Sequence, residues 1–294
     1  HTDTEGPQTE ECAAGIAVDQ SDGHYAVDTS LLATSPIDLS VGTSMALVAV
    51  ITGKTVMAMN LNVWSGILLG MIVGTILGAI NGLLITVLKL PPFIATLATM
   101  KGAQGLALIT SDLKPILFTT DVKGWDSIAQ GNIIPNLPNA VLILLVAAVI
   151  ASVILNKTVL GRYTFAIGSN TEATKLSGVK VNRWLVAVYA LCGLFVGLAA
   201  VVMTSRLGSA QPDLGLGYEL EAIAAVIIGG TSLLGGKGTI SGTIIGALIM
   251  SVLINGLRIL ELQQEWQYVV VGAVILLAVY GDNVRRRRAG ETTH

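Results

Sequence analysis

Five stretches of this chain are long, apolar and free of Asp, Glu, Lys and Arg: residues 55–88, 127–156, 184–205, 238–257 and 266–281. The first is most hydrophobic over 64–88 and the second over 140–155. A bilayer core about 30 Å thick takes a helix of roughly 17–25 residues. Because a helix satisfies its own backbone groups in lipid, such windows predict spanning helices. Three further segments are weaker: 39–53 and 222–236 are short, the latter glycine-rich, and Lys101 interrupts 93–111. Short or broken apolar segments either line cavities or pack as tilted neighbours, and both readings stand. The predicted fold is an all-α, polytopic membrane helix bundle of about eight spans.

Charge agrees with that reading. Only 12% of residues are charged, against about 25% in soluble domains, so a soluble enzyme fits poorly and a disordered chain is excluded. The net charge of −2 hides an asymmetry: residues 1–36 hold seven acids (Asp3, Glu5, Glu10, Glu11, Asp19, Asp22 and Asp28) and no Lys or Arg. The rest carries 17 basic and 12 acidic side chains. The expected organisation is an acidic polar segment over 1–36, disordered or non-native, a membrane domain over 37–283, and a basic tail over 284–294. The longest apolar run of the opening, 12–18, is too short for a span or a signal-peptide core. Two cysteines, Cys12 and Cys192, form no CxxC and no Cys/His cluster, so no metal site is expected.

Lys and Arg placement sets an expected orientation. The loop 157–183 carries Lys157, Arg162, Lys175, Lys180 and Arg183 against Glu172 alone, and the tail carries Arg285 to Arg288. Both belong in the cytoplasm by the positive-inside rule. Eight crossings then put both termini there, with Asp213, Glu219, Glu221, Glu261 and Glu265 on the opposite rim. Trp64, Trp184 and Trp266 each open a span, as interfacial anchors do. Gly66, Gly70, Gly74, Gly78 and Gly82 recur every fourth residue, a stripe that lets helix backbones approach closely in lipid. Asn81, Gln104 and Asn255 lie within spans, where bonding between helices is the expected use.

Catalytic signatures do not appear. Gly230 to Lys237 and the Gly53-Lys54-Thr55 string both miss the spacing of a phosphate-binding loop, and HExxH and GxSxG are lacking. The chain is therefore read as a non-enzyme with no cofactor of its own. The soluble element with most content is Ser169-Asn170-Thr171-Glu172, which fits the S-x-x-E capping box, with Gly178 as a left-handed stop. It predicts a short cytoplasmic helix over 170–177. Such a helix can dock a soluble partner or rest on anionic lipid, and the basic loop charge suits either.

Those same residues resemble a family. Gly161-Arg162-Tyr163, Gly168-Ser169-Asn170-Thr171-Glu172-Ala173 and Ser177-Gly178 are similar to the ATPase-coupling segment of permease subunits of bacterial ABC-type sugar importers of the ribose group. The resemblance continues through Arg206-Leu207-Gly208-Ser209-Ala210-Gln211-Pro212, Gly215-Leu216-Gly217-Tyr218-Glu219-Leu220 and the string from Gly229-Gly230-Thr231-Ser232 to Gly235-Gly236-Lys237-Gly238. Upstream, Ile37-Asp38-Leu39-Ser40-Val41-Gly42 and Pro91-Pro92-Phe93-Ile94-Ala95-Thr96-Leu97 belong to it too, so it covers about 37–280.

The resemblance implies a permease of the bacterial inner membrane that pairs with a second copy, forming a homodimer around a translocation path. A cytoplasmic ATP-binding subunit carrying the ATP and Mg would dock on Gly161, Arg162, Gly168, Ser169, Asn170, Glu172 and Ala173. A periplasmic sugar-binding protein would deliver a pentose or hexose, and no nucleic acid is involved. Asp38, Gln211, Glu219 and Glu221 are the candidates for the substrate path or for binding-protein docking; capping or solvation of a helix entrance is the plainer use of the last three. Family members carry two more spans ahead of Ile37, about ten in all, and the acidic segment stands in their place. A truncated, non-transporting fragment is one alternative, and loss of that pair is expected to expose 39–53 to lipid or water. Others are a branched-chain amino-acid permease and an ion-driven secondary transporter, though the strong spans lack the intramembrane acids the latter needs.

Overall fold

The computed structural model describes residues 18–19, 24–25, 38–118, 124–232 and 235–288. Most of the expected acidic segment and the end of the basic tail lie outside them. Among the described residues four short strands make two antiparallel ladders: β1 (Val18–Asp19) pairs with β2 (His24–Tyr25), and β3 (Ile116–Leu117) with β4 (Ser209–Ala210). The rest of the regular structure described is helix. Among the described residues seven helices are long and apolar enough to cross a membrane. They are α1 (Val41–Ala58), α2 (Val63–Thr86), α3 (Pro92–Thr110), α5 (Asn139–Lys157), α8 (Val181–Leu207), α10 (Ile240–Ile259) and α11 (Gln264–Arg288). Shorter helices lie between them: α4 (Ser127–Gln130), α6 (Val159–Ser169), α7 (Thr171–Leu176) and α9 (Tyr218–Ile228).

Two of the three weak segments form complete helices. Proline in the first turn of α3 fits a position where the missing N–H costs nothing, and the helix runs on through Lys101. The segment 39–53 becomes α1, whose residues from Val41 to Val50 are all buried. The expectation that it would be exposed is thereby corrected: α2, α3 and α8 pack around it. Only 222–236 fails to span. Its helix, α9, stops at Gly229, and Gly230, Gly235 and Gly236 all take positive φ.

The centre of the bundle is the crossing of α2 on α8. A Cβ on Gly74 would overlap the carbonyl oxygen of Gly193, and a Cβ on Gly193 would overlap that of Gly74. Gly78 meets the Tyr189 carbonyl in the same way, and Gly197 meets that of Gly70. Gly66 continues the line under the Trp125 ring, and Gly82 lies against Val186.

Beyond Gly66, one end of the bundle is closed by the connection from α3 to α5. Trp125 stacks on Phe118 at 5.1 Å. The Ser205 hydroxyl donates to the Trp125 carbonyl (2.6 Å) and accepts from the Ala129 N–H (2.9 Å), while Gln130 donates to the Arg206 carbonyl (2.7 Å). Lys54 joins α1 to the end of α3 by donating to the Thr110 carbonyl at 2.8 Å. The opposite end carries α6 and α7.

Candidate functional site

Between α5 and α8 the chain folds into two helices where the sequence indicated one. Thr158 caps α6, its hydroxyl accepting from the Gly161 N–H at 3.4 Å. The α7 cap is Asn170, whose side chain accepts from the Ala173 N–H at 2.8 Å. This corrects the capping box: Ser169 ends α6, and Glu172 pairs with Lys175 at 2.6 Å rather than reaching back. An exposed pair of that kind contributes little, so the cap is what defines α7. Gly178, at φ +82°, supplies the expected stop. The Thr174 hydroxyl donates to the Ala166 carbonyl (2.9 Å) and folds α7 back on α6.

Among the predicted coupling residues, Gly161 and Gly168 are buried, whereas Arg162, Ser169, Asn170, Glu172 and Ala173 are exposed. Gly161 is required by close approach, since a Cβ there would overlap the Leu155 backbone. Sequence reasoning missed two features of the segment. Trp184 is more than an interfacial anchor: its ring meets Tyr163 edge-on at 4.9 Å and ties α8 to α6. Leu176 stands 89% exposed at the tip of α7, a large apolar side chain presented outward. Replacing Asn170 by Ala should cost about 1 kcal/mol locally. Hydrogen exchange at the Ala173 amide should then speed up about fivefold, and Ser169→Ala should leave it unchanged.

The second element is a broken span. Gly208, at φ +61°, ends α8, and β4 lies beside Gly53 of α1. The chain then descends along α1 until Gly215 meets Gly42, where a Cβ on Gly42 would overlap the Gly215 carbonyl and stand 2.6 Å from Glu219 Oε2. Gly53 and Gly42 are eleven residues apart, about 16 Å along a helix. From that depth α9 runs another 11 residues, again about 16 Å, to the end that holds α6. Gly236 of the following loop rests on Ser169, with a Cβ position 3.1 Å from its Cα.

Glu219 and Glu221 therefore open a half-helix inside the bundle rather than standing on the rim where the sequence set them. Gln211, near β4, donates to the Ser209 hydroxyl at 3.5 Å. Asp38 is 5% exposed. It accepts from the Ser40 N–H (2.8 Å), the Ser40 hydroxyl (2.7 Å) and the Asn81 amide (3.3 Å), which fastens the entry of α1 to α2. Asn81 thus bonds between helices, whereas Gln104 accepts from Lys101 on its own helix (3.2 Å) and Asn255 is exposed.

The chain is thus an apolar multi-helix bundle with a glycine-tight centre, a half-helix that begins at depth and a capped two-helix projection at one end. The chain matches the family model described as branched-chain amino acid transport system / permease component over residues 31–279, and it belongs to that family. It is similar to the ribose import permease protein RbsC of Bacillus subtilis, 46% identical over 254 residues that cover 86% of this chain and 78% of the relative. RbsC of Escherichia coli K12 is 40% identical over 262 residues, covering 88% and 80%. The fructose import permease protein FrcC of Rhizobium meliloti is 37% identical over 272 residues, covering 90% and 75%. No solved structure matches the chain. It is a multi-pass membrane protein, and its class is that of import-system permeases.

Proposed function

We propose that this chain is the sugar-conducting permease subunit of an ATP-driven, binding-protein-dependent importer in a bacterial inner membrane. The observation that carries the reading is the α6–α7 projection seated, through Ser169 and Gly236, on the loop that ends the broken span. Relatives named as ribose and fructose import permeases support a pentose or hexose as solute. In this reading residues 37–283 form the permease domain and two copies enclose the path. The ATPase subunit, which holds ATP and Mg, docks on the exposed side of 157–183, where Arg162, Glu172, Ala173 and Leu176 meet it. The basic charge of that loop and of the tail 284–294 supports a cytoplasmic position for both, and with it the cytoplasmic termini. The binding protein approaches the other end, near Gln211, and Glu219 and Glu221 stand on the path. Asp38 positions α1 through its bonds to Ser40 and Asn81.

Reconstituted in proteoliposomes with its ATPase subunit and binding protein, the permease should take up D-ribose, D-fructose or D-allose in an ATP-dependent way. Uptake of none of these, or uptake that persists without ATP and collapses with the ion gradient, would overturn the reading.

A further inference from the structure

Charge sits at mid-depth on one outward face of this bundle, where lipid would oppose it. Lys101 is the middle residue of the 19 in α3, about 14 Å from either end, and its side chain is exposed. That distance is too great for a lysine stem to snorkel to an interface. Glu219 lies at a matching depth. Lys54 joins α1 to Thr110 of α3; from that level Gly42, beside Glu219, is about 18 Å down α1, and Lys101 is about 14 Å down α3. Both α3 and α9 pack against α1, and the Oε2 of Glu219 is buried with no hydrogen-bond partner among the described residues. Gly102 and Gly105, neighbours of Lys101 on α3, face open space.

Other outward faces differ. At similar depth α2, α5 and α10 expose Ile76, Val149 and Leu248, side chains suited to lipid. An ionisable residue inside a membrane marks a bundle interior or a water-filled cavity.

We infer that the outward face of α3 at Lys101 and the start of α9, both beside α1, line the aqueous translocation path, with Lys101 and Glu219 as an opposed pair on its wall. The inference rests on the proposed function and adds Lys101 to its path residues. The pair suits a neutral polyhydroxylated solute, because the ammonium donates and the carboxylate accepts hydrogen bonds while their fields largely cancel.

The test uses the assembled permease–ATPase complex in native vesicles, with Cys12 and Cys192 replaced by Ala. A cationic methanethiosulfonate should label Lys101→Cys about tenfold faster than Val149→Cys or Leu248→Cys, because only the first meets water. Equal, slow labelling would overturn the inference. Adding Glu219→Gln should lower the ratio of cationic to anionic reagent rates at Lys101→Cys about fivefold, and an unchanged ratio would overturn the pairing. Neither measurement involves sugar or a binding protein, so both stand even if the proposed solute class is wrong. In proteoliposomes whose unsubstituted permease takes up D-ribose, Lys101→Met should slow uptake about tenfold with ATP hydrolysis retained. Undiminished uptake would overturn the assignment of Lys101 to the path wall.

Discussion

Gly74→Val is expected to leave the permease unable to hold its native bundle. The contact at this site is backbone against backbone: a Cβ on Gly74 would occupy the place of the Gly193 carbonyl oxygen, with the Cα of Gly197 2.8 Å away. No flexible side chain is available to give way, so α2 and α8 must part. In a bilayer their association depends on close packing, since lipid tails are as apolar as the side chains and supply no hydrophobic drive. Overpacking of a core usually costs about 1–3 kcal/mol. A separated α2–α8 crossing should reach about 3 kcal/mol or more, because the reciprocal contacts at Gly70, Gly78 and Gly197 loosen together. The measurement is thermal unfolding of purified protein in detergent, beside the yield extracted from membranes. Gly102→Val, on α3 with nothing near its Cβ position, should change stability by less than about 1 kcal/mol. Equal behaviour of the two variants would show that the stripe does not set the crossing.

The stripe was legible because its period of four is a helical period and glycine is the one residue that brings two backbones together. The partner was not legible: Gly193 and Gly197 repeat the spacing, but so do Gly238, Gly242 and Gly246, and one-dimensional order does not decide between them. Spans were read from missing charge, which is why Lys101 weakened a helix that is in fact complete. A lysine counts against a span only when its surroundings are lipid. The broken span is hard to recognise in sequence for the converse reason. Acids at 219 and 221 next to glycines look like the mouth of a loop, and only the approach of Gly215 to Gly42 reveals their depth.

Local chemistry misled once as well. Ser169 and Glu172 satisfy the capping-box spacing, yet a preceding helix, α6, absorbs Ser169 and leaves Asn170 as the residue with the extended φ/ψ a cap needs. Asp38 and Asn81 lie 43 residues apart, and nothing in the pattern of either segment pairs them. The packing of Trp184 on Tyr163 was hidden similarly, because an aromatic at a helix entrance reads as an interfacial anchor before it reads as a joint.

Gly236→Val is expected to separate ATP hydrolysis from uptake. Gly236 has φ +75°, and its Cβ position lies 3.1–3.3 Å from the Cα, Cβ and N of Ser169. Its loop is closed by the Ser232 N–H donating to the Lys237 carbonyl at 3.0 Å. Behind the loop, α9 is locked to α10, since a Cβ on Gly242 would overlap the Gly229 carbonyl and one on Gly246 that of Ala225. A push on the α6–α7 projection therefore reaches the loop at Ser169 and moves α9 as part of a stiff pair, carrying Glu219 at the far end. Valine would enforce a left-handed conformation that costs an L-residue roughly 1–2 kcal/mol and would crowd Ser169 as well. If that cost falls on one of the two conformers that transport alternates between, uptake should drop roughly 5–30-fold. Arg162, Glu172, Ala173 and Leu176 are untouched, so ATPase binding and hydrolysis should persist. Gly178→Val separates strain from contact: its φ is +82° with nothing near the Cβ position, so it should loosen α7 and weaken ATPase docking instead. Parallel loss of docking and uptake in Gly236→Val would show that the Ser169 contact holds the projection in place without transmitting its motion.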